Sequence, residues 1–231
     1  MQNQPSSALE GFTQMYAGNP PWEVGRPKAP FVAVADQVTS PVLDAGCGTG
    51  DTSLFFAALG HQVTGIDFVE EAIRRGRTKA SERGLSVEFL VKDAMTLGDW
   101  DQRFASVIDS GLFHVYSGDE RRRYVRGLAH VLQPGGRLFL YAFSDQETAV
   151  PGGRGVAAGS VRHLRRRLGD RICGVCGGER KAGGRDRVFG GVRLEDAVRG
   201  HPKKGVKRPR RERATNEAWT RRSANTVTST R

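Results

Sequence analysis

Four carboxylates in this chain stand just past short apolar runs, where an α/β protein places its chemistry. Asp44 follows Val42-Leu43, Asp67 follows His61 to Ile66, Asp93 follows Val87 to Val91, and Asp109 closes Phe104 to Ile108. In open α/β sheets, ligands bind beyond the carboxyl ends of the strands, so these acids would line a crevice. An acid at the tip of the second strand can accept both hydroxyls of a ribose, which suits Asp67; its plainer use is as a helix N-cap. The loop after the fourth strand, Ser110-Gly111-Leu112-Phe113-His114-Val115-Tyr116, adds polar groups for an acceptor. His114 can serve as a general base toward a thiol or hydroxyl near neutral pH, with Asp109, Ser110 and Tyr116 beside it. A histidine that only packs or caps is the bland alternative.

These groups need a turn that brings bare backbone to a ligand. Val42 to Gly50 reads VLDAGCGTG, the end of a buried strand followed by Gly46, Gly48 and Gly50. From Thr52 the chain becomes helical, with Thr49, Asp51 or Thr52 available as a cap and Gly60 placed to end the helix. A dinucleotide fingerprint over Gly46 and Gly48 needs a third small residue at 51, where Asp51 stands. The pattern Asp44-x-Gly46-x-Gly48-x-Gly50 instead resembles the first motif of class I S-adenosylmethionine-dependent methyltransferases.

That resemblance covers about residues 11 to 147 and implies S-adenosyl-L-methionine as cofactor, with no metal. It places Asp44, Gly46, Cys47 and Gly48 against the amino acid end of the cofactor and Asp67 with Phe68 at the ribose. Asp93 and the Ala94 N–H fall at the adenine edge, and Asp109 at the end of the fourth strand. His114, Asp109 and Tyr116 become the catalytic candidates. Pro21-Trp22-Glu23-x-Gly25-Arg26, followed by Pro30-Phe31, is similar to the N-terminal signature of thiol, halide and thiopurine methyltransferases. There such a loop lies over the cofactor, so Trp22 reads as part of a lid, with a plug at the base of the domain as its alternative.

The order of elements supports the fold. A helix over Ala29 to Val38 leads into the first strand, helices follow over Val69 to Arg83 and Asp119 to Leu132, and Arg137 to Phe143 forms a fifth strand after Pro134-Gly135-Gly136. Tyr124, Leu128 and Leu132 face inward on the last helix, with Arg121, Arg122 and Arg123 mostly solvated. This is an α/β, doubly wound, mostly parallel Rossmann-like sheet. We divide it into an N-terminal lid segment (1–28), a cofactor-binding domain (29–150) and a basic tail (151–231).

The chain has 231 residues and a formal charge of +11, but the charge is unevenly spread. Residues 1–150 carry 14 basic and 18 acidic side chains, whereas residues 151–231 carry 22 and 7. The tail shows no apolar period, which predicts disorder and a sheet lacking its last two strands, the sixth and an antiparallel seventh inserted beside the fifth. A basic extension would hold RNA or DNA through phosphates, making the chain a nucleic-acid methyltransferase or a nucleic-acid-binding protein; an out-of-frame stretch, leaving a truncated and inactive cofactor-binding remnant, would look the same. Cys173 and Cys176 supply only two thiolates of a zinc site, and His163 and His201 fall at no familiar spacing. The N-terminus has no signal pattern and no run of 18 apolar residues occurs, so a cytoplasmic, membrane-free protein is expected. Its partner would be a small-molecule methyl acceptor, with nucleic acid engaged only through the tail. The oligomeric state is not written in the sequence.

Overall fold

Strands buried on both faces need apolar or small residues at successive positions, and Val42-Leu43-Asp44-Ala45 and Val63 to Asp67 meet that need with every residue buried. A computed structural model gives the protein's structure and describes residues 7–142, Leu168, 172–176 and 192–193. The chain divides after Ala94 into two compact units.

In the first unit, β1 (Val42–Ala45), β2 (Val63–Asp67) and β3 (Glu88–Val91) run parallel in the order β3-β2-β1. Asp44 lies opposite Gly65, and Asp67 opposite Val91. Helices α1 (Ser7–Tyr16) and α2 (Ala29–Ala33) precede the strands, and α3 (Asp51–Ala58) and α4 (Glu70–Glu82) follow β1 and β2. The helix expected over Ala29 to Val38 is shorter, giving way to a 3-10 turn at Ala35–Gln37.

One ring explains three glycines. A Cβ built at Gly50 would lie 2.4 Å from the Phe89 ring, one at Gly65 2.9 Å, and one at Gly76 3.2 Å. The turn, a strand and a helix all give way to seat Phe89, which packs with Leu54, Ile73 and Ala80. The start of α3 differs from expectation. Its N-cap is Gly50 itself, left-handed at φ 82°, with no side-chain cap.

In the second unit, β4 (Phe104–Ser110) runs parallel to β5 (Leu132–Ala142), with Asp109 opposite Leu140. Between them lies α5 (Gly118–Val131), which buries Tyr124 and Leu128 completely and exposes Arg122 and Arg123. Leu132 is buried as the first residue of β5 rather than the last of the helix. A Cβ at Gly136 would come within 3.0 Å of the Phe104 carbonyl, which is why a glycine stands where the β4–β5 register shifts.

The expectation that the sheet lacks its last two strands is corrected. Ile172–Cys176 forms β6, parallel to β5 from Leu138↔Ile172 to Ala142↔Cys176, and Val192–Arg193 (β7) pairs antiparallel with β6. The neighbour of the fifth strand is therefore parallel, not an inserted antiparallel strand. The reason is that pairing uses main-chain groups, so a five-residue run with β-branched Ile172 and Val175 suffices without apolar alternation. The remainder of 143–231, and with it the expected disordered tail and the side chains of Cys173, Cys176, His163 and His201, lies outside the described residues. With five parallel strands in its first 142 residues and helices flanking them, the chain has a Rossmann-like α/β fold.

Candidate functional site

The turn between β1 and α3 is built from glycines that no other residue would replace without strain. Gly46, Gly48 and Gly50 have φ of 68°, 55° and 82°. The Cys47 N–H donates to the Ile66 carbonyl at 2.8 Å, which ties the turn to β2. Asp67 completes the tie. One of its oxygens accepts the Gly48 N–H at 3.0 Å and the other accepts the Val69 N–H at 2.9 Å, ahead of α4. Burial raises the Asp67 carboxyl above its ordinary range, and the N–H groups of Val69 and Gly48 oppose that shift. Asp67 thus fixes the helix entry and the turn together, with 7% of its surface exposed.

Asp44 is drawn inward, accepting the Ser53 hydroxyl of α3 at 2.6 Å. Burial, then the charges of Asp44 and Asp67, push the half-buried Cys47 thiol well up, so it stays protonated. Asp93 is exposed and Ala94 buried, directly after β3.

The N-terminal segment reaches this turn through a residue the sequence reading passed over. Tyr16, the last residue of α1, is buried, and a Cβ on Gly48 would meet its hydroxyl at 2.7 Å. That hydroxyl accepts the Trp22 indole N–H at 3.0 Å. Burial, followed by the charge of Asp67, drives the Tyr16 pKa far upward, so the phenol remains a neutral donor. Trp22 is half-buried and meets Phe12 and Tyr16 edge to face, and Phe12 in turn meets Phe68. Trp22, Phe68, Asp67 and Gly48 are therefore gathered by Tyr16 and Phe12. The signal available in the sequence was an aromatic, Tyr16, just ahead of the Pro20-Pro21-Trp22 loop.

In the second unit the loop after β4 is organised by Asp109. One carboxylate oxygen accepts the N–H groups of Gly111, Leu112 and Phe113 at 3.2, 2.8 and 3.2 Å; the other accepts the Tyr124 hydroxyl at 2.9 Å. Its exposure is 0%. Both oxygens of Asp109 are thus engaged by the loop and by α5. Burial raises its carboxyl to about 6 against the opposing hydrogen bonds. His114 and Tyr116, both half-buried, stand on the loop Asp109 holds. Gly111, at φ 103°, leaves room for the imidazole, since a Cβ there would lie 3.1 Å from His114 Cε1. Tyr116 packs on Tyr124 with ring centres 5.0 Å apart.

Comparison with known proteins matches residues 42–136 to a methyltransferase domain. A 2-heptyl-1-hydroxyquinolin-4(1H)-one methyltransferase of Mycobacteroides abscessus is 35% identical over 133 residues, which span 56% of this chain and 59% of that protein. A solved structure described as "Conversion of a Disulfide Bond into a Thioacetal Group during Echinomycin Biosynthesis" is 42% identical, with a TM-score of 0.54, over 56% of this chain and 59% of that one. An uncharacterized methyltransferase of Schizosaccharomyces pombe is 36% identical over 104 residues, 45% of this chain and 72% of that protein. The chain belongs to the S-adenosylmethionine-dependent methyltransferase family.

The turn of this methyltransferase fits the family's cofactor. Gly46 and Gly48 offer backbone with no Cβ, and the adjoining acids suit a cationic, amino acid-bearing ligand rather than a phosphate. The Asp67 oxygens accept the N–H groups of Gly48 and Val69, and a carboxylate has about four acceptor sites in all. Among the described residues no helix is long and apolar enough to cross a membrane.

Proposed function

We propose that this methyltransferase transfers a methyl group to the hydroxyl or thiol of a small molecule. The observation that carries the proposal is the Asp67 carboxylate bridging the glycine turn and the head of α4, a ready diol acceptor beside bare backbone. The relative acting on a hydroxyquinolinone supports a hydroxyl acceptor, and the structure described by disulfide-to-thioacetal conversion supports sulfur. The Pro21-Trp22-Glu23 motif favours the thiol, halide and thiopurine branch within the same class.

When bound, S-adenosylmethionine supplies a methyl group already activated on a sulfonium. The protein's own task is then alignment and exclusion of water. Gly46, Cys47 and Gly48 hold the amino acid end with Asp44 behind them, and Asp67 takes the ribose. Asp93 and the Ala94 N–H take the base edge, and Phe68 and Trp22 add apolar cover. His114 Nε2 or Nδ1 accepts the proton that the acceptor hydroxyl or thiol gives up, and Tyr116 orients the acceptor. Asp109 acts through the loop, not on the substrate.

The test is S-adenosylhomocysteine release by the full-length protein with a panel of small phenols, hydroxyquinolinones and thiols. Acceptor-dependent release is expected. Tight cofactor binding with no release on any member of the panel would remove the small-molecule assignment.

A second role rests on composition: the 22 basic side chains of residues 151–231 suit phosphate-rich partners.

A further inference from the structure

Of the four bases of helix α4, Arg75 and Lys79 stand four residues apart and so on one face. Both reach segments distant in sequence. The Lys79 ammonium lies 2.7 Å from Thr49 Oγ1, 2.9 Å from Asp51 Oδ1 and 3.3 Å from Glu23 Oε1. An ammonium has three protons, and here each finds an acceptor. Two acceptors belong to the glycine turn and the first residue of α3; the third is the acid next to Trp22. Arg75 grips the same N-terminal segment one helical turn earlier, donating to the Tyr16 carbonyl at 2.7 Å and the Gly18 carbonyl at 3.0 Å. Its Nη1 also lies 3.4 Å from Glu23 Oε2, so the Glu23 carboxylate spans both bases. Lys79 and Glu23 are 21% and 15% exposed at their side chains, which limits screening of the pair by solvent and salt.

We propose that Lys79 is a positioning residue for the cofactor. It latches the segment from Tyr16 to Arg26, with Trp22 inside it, onto the glycine turn, so cofactor retention depends on a lysine of α4 as well as on the turn. The inference rests on the cofactor site proposed above. Its physical basis is the missing cap. Gly50 gives α3 no side chain to fix its start, and the hydroxyl of Thr49 and the carboxylate of Asp51 are held from outside by Lys79 instead. Without the ammonium, the Asp51 and Glu23 carboxylates lose a shared counter-charge and repel one another, which opens the segment from the turn.

Full-length wild type, Lys79→Met and Lys79→Arg are titrated calorimetrically with S-adenosylhomocysteine, and hydrogen exchange is followed at residues 16–26 and 48–51. Lys79→Met should weaken binding tenfold or more and speed exchange in both segments, with Lys79→Arg recovering most of the affinity. Because Glu23 acts through the same ammonium, Glu23→Gln combined with Lys79→Met should bind no more weakly than Lys79→Met alone. Wild type and Lys79→Met binding equally overturns the latch while sparing the methyltransferase assignment. So does weakened binding that comes with unchanged exchange in 16–26. A wild type that fails to bind overturns both.

Discussion

The Asp67 carboxylate accepts the backbone N–H of Gly48, 19 positions earlier in the chain, at 3.0 Å. One side chain at the end of β2 therefore sets the shape of the turn after β1. Asp67→Ala should weaken S-adenosylhomocysteine binding by about 1–3 kcal/mol, the range for losing hydrogen bonds to a charged group. Calorimetric titration checks this, and unchanged affinity would take Asp67 out of the site.

Trp22 is tied to Tyr16, and Tyr16 to the turn. Trp22→Phe keeps ring packing but drops the indole N–H, whereas Trp22→Ala drops both. Cofactor affinity should fall in the order wild type, Phe, Ala, while far-UV circular dichroism stays the same. If Trp22→Ala retains wild-type affinity and turnover, the tryptophan is only a plug.

Asp109 gives the protein a pH signature. Its carboxyl is raised from 3.8 to about 6 by burial, so between those values the folded protein holds a proton that the unfolded chain releases. Rising pH therefore lowers the stability contributed by this group across that window, and the loss is complete above the folded pKa. Asp109→Asn keeps an oxygen for the loop N–H groups and removes the titration. Urea unfolding at pH 4.5 to 7.5 should show a shallower decline in the variant; parallel profiles would contradict the assignment.

Gly50 combines φ 82° with a Phe89 ring 2.4 Å from any added Cβ. Gly50→Ala should cost about 2 kcal/mol or more, since strain and overpacking act together. A thermal unfolding midpoint equal to wild type would show that the ring has somewhere else to go.

Removal of residues 194–231 leaves every described strand in place and deletes the run KKGVKRPRRER. RNA retention by the full chain, falling steeply from low to moderate salt, should be lost in the shortened protein while S-adenosylhomocysteine binding persists. If the full chain retains no RNA, the nucleic-acid role for this segment is withdrawn and the out-of-frame origin gains.

The strands, the glycine turn and the acids at strand ends were legible because each is written locally. Val42-Leu43 followed by three alternate glycines specifies a buried strand and a left-handed turn from backbone sterics alone, whereas Pro134-Gly135-Gly136 falls inside β5, just past the end of α5. A capping box, Ser117-x-x-Glu120, heads α5, with its return bond from the Ser117 N–H at 3.4 Å. What only the tertiary structure decided are contacts between residues remote in sequence. Asp44, Asp67 and Asp109 look alike as acids after strands, yet Asp44 meets Ser53, Asp67 clasps Gly48, and Asp109 is sealed under Tyr124. Lys79 reads as one more base on a charged helix until the fold delivers Glu23, Thr49 and Asp51 to its three protons. β6 was missed for the same reason: its stability lies in main-chain bonds to β5, and side-chain periodicity carries no record of a partner strand.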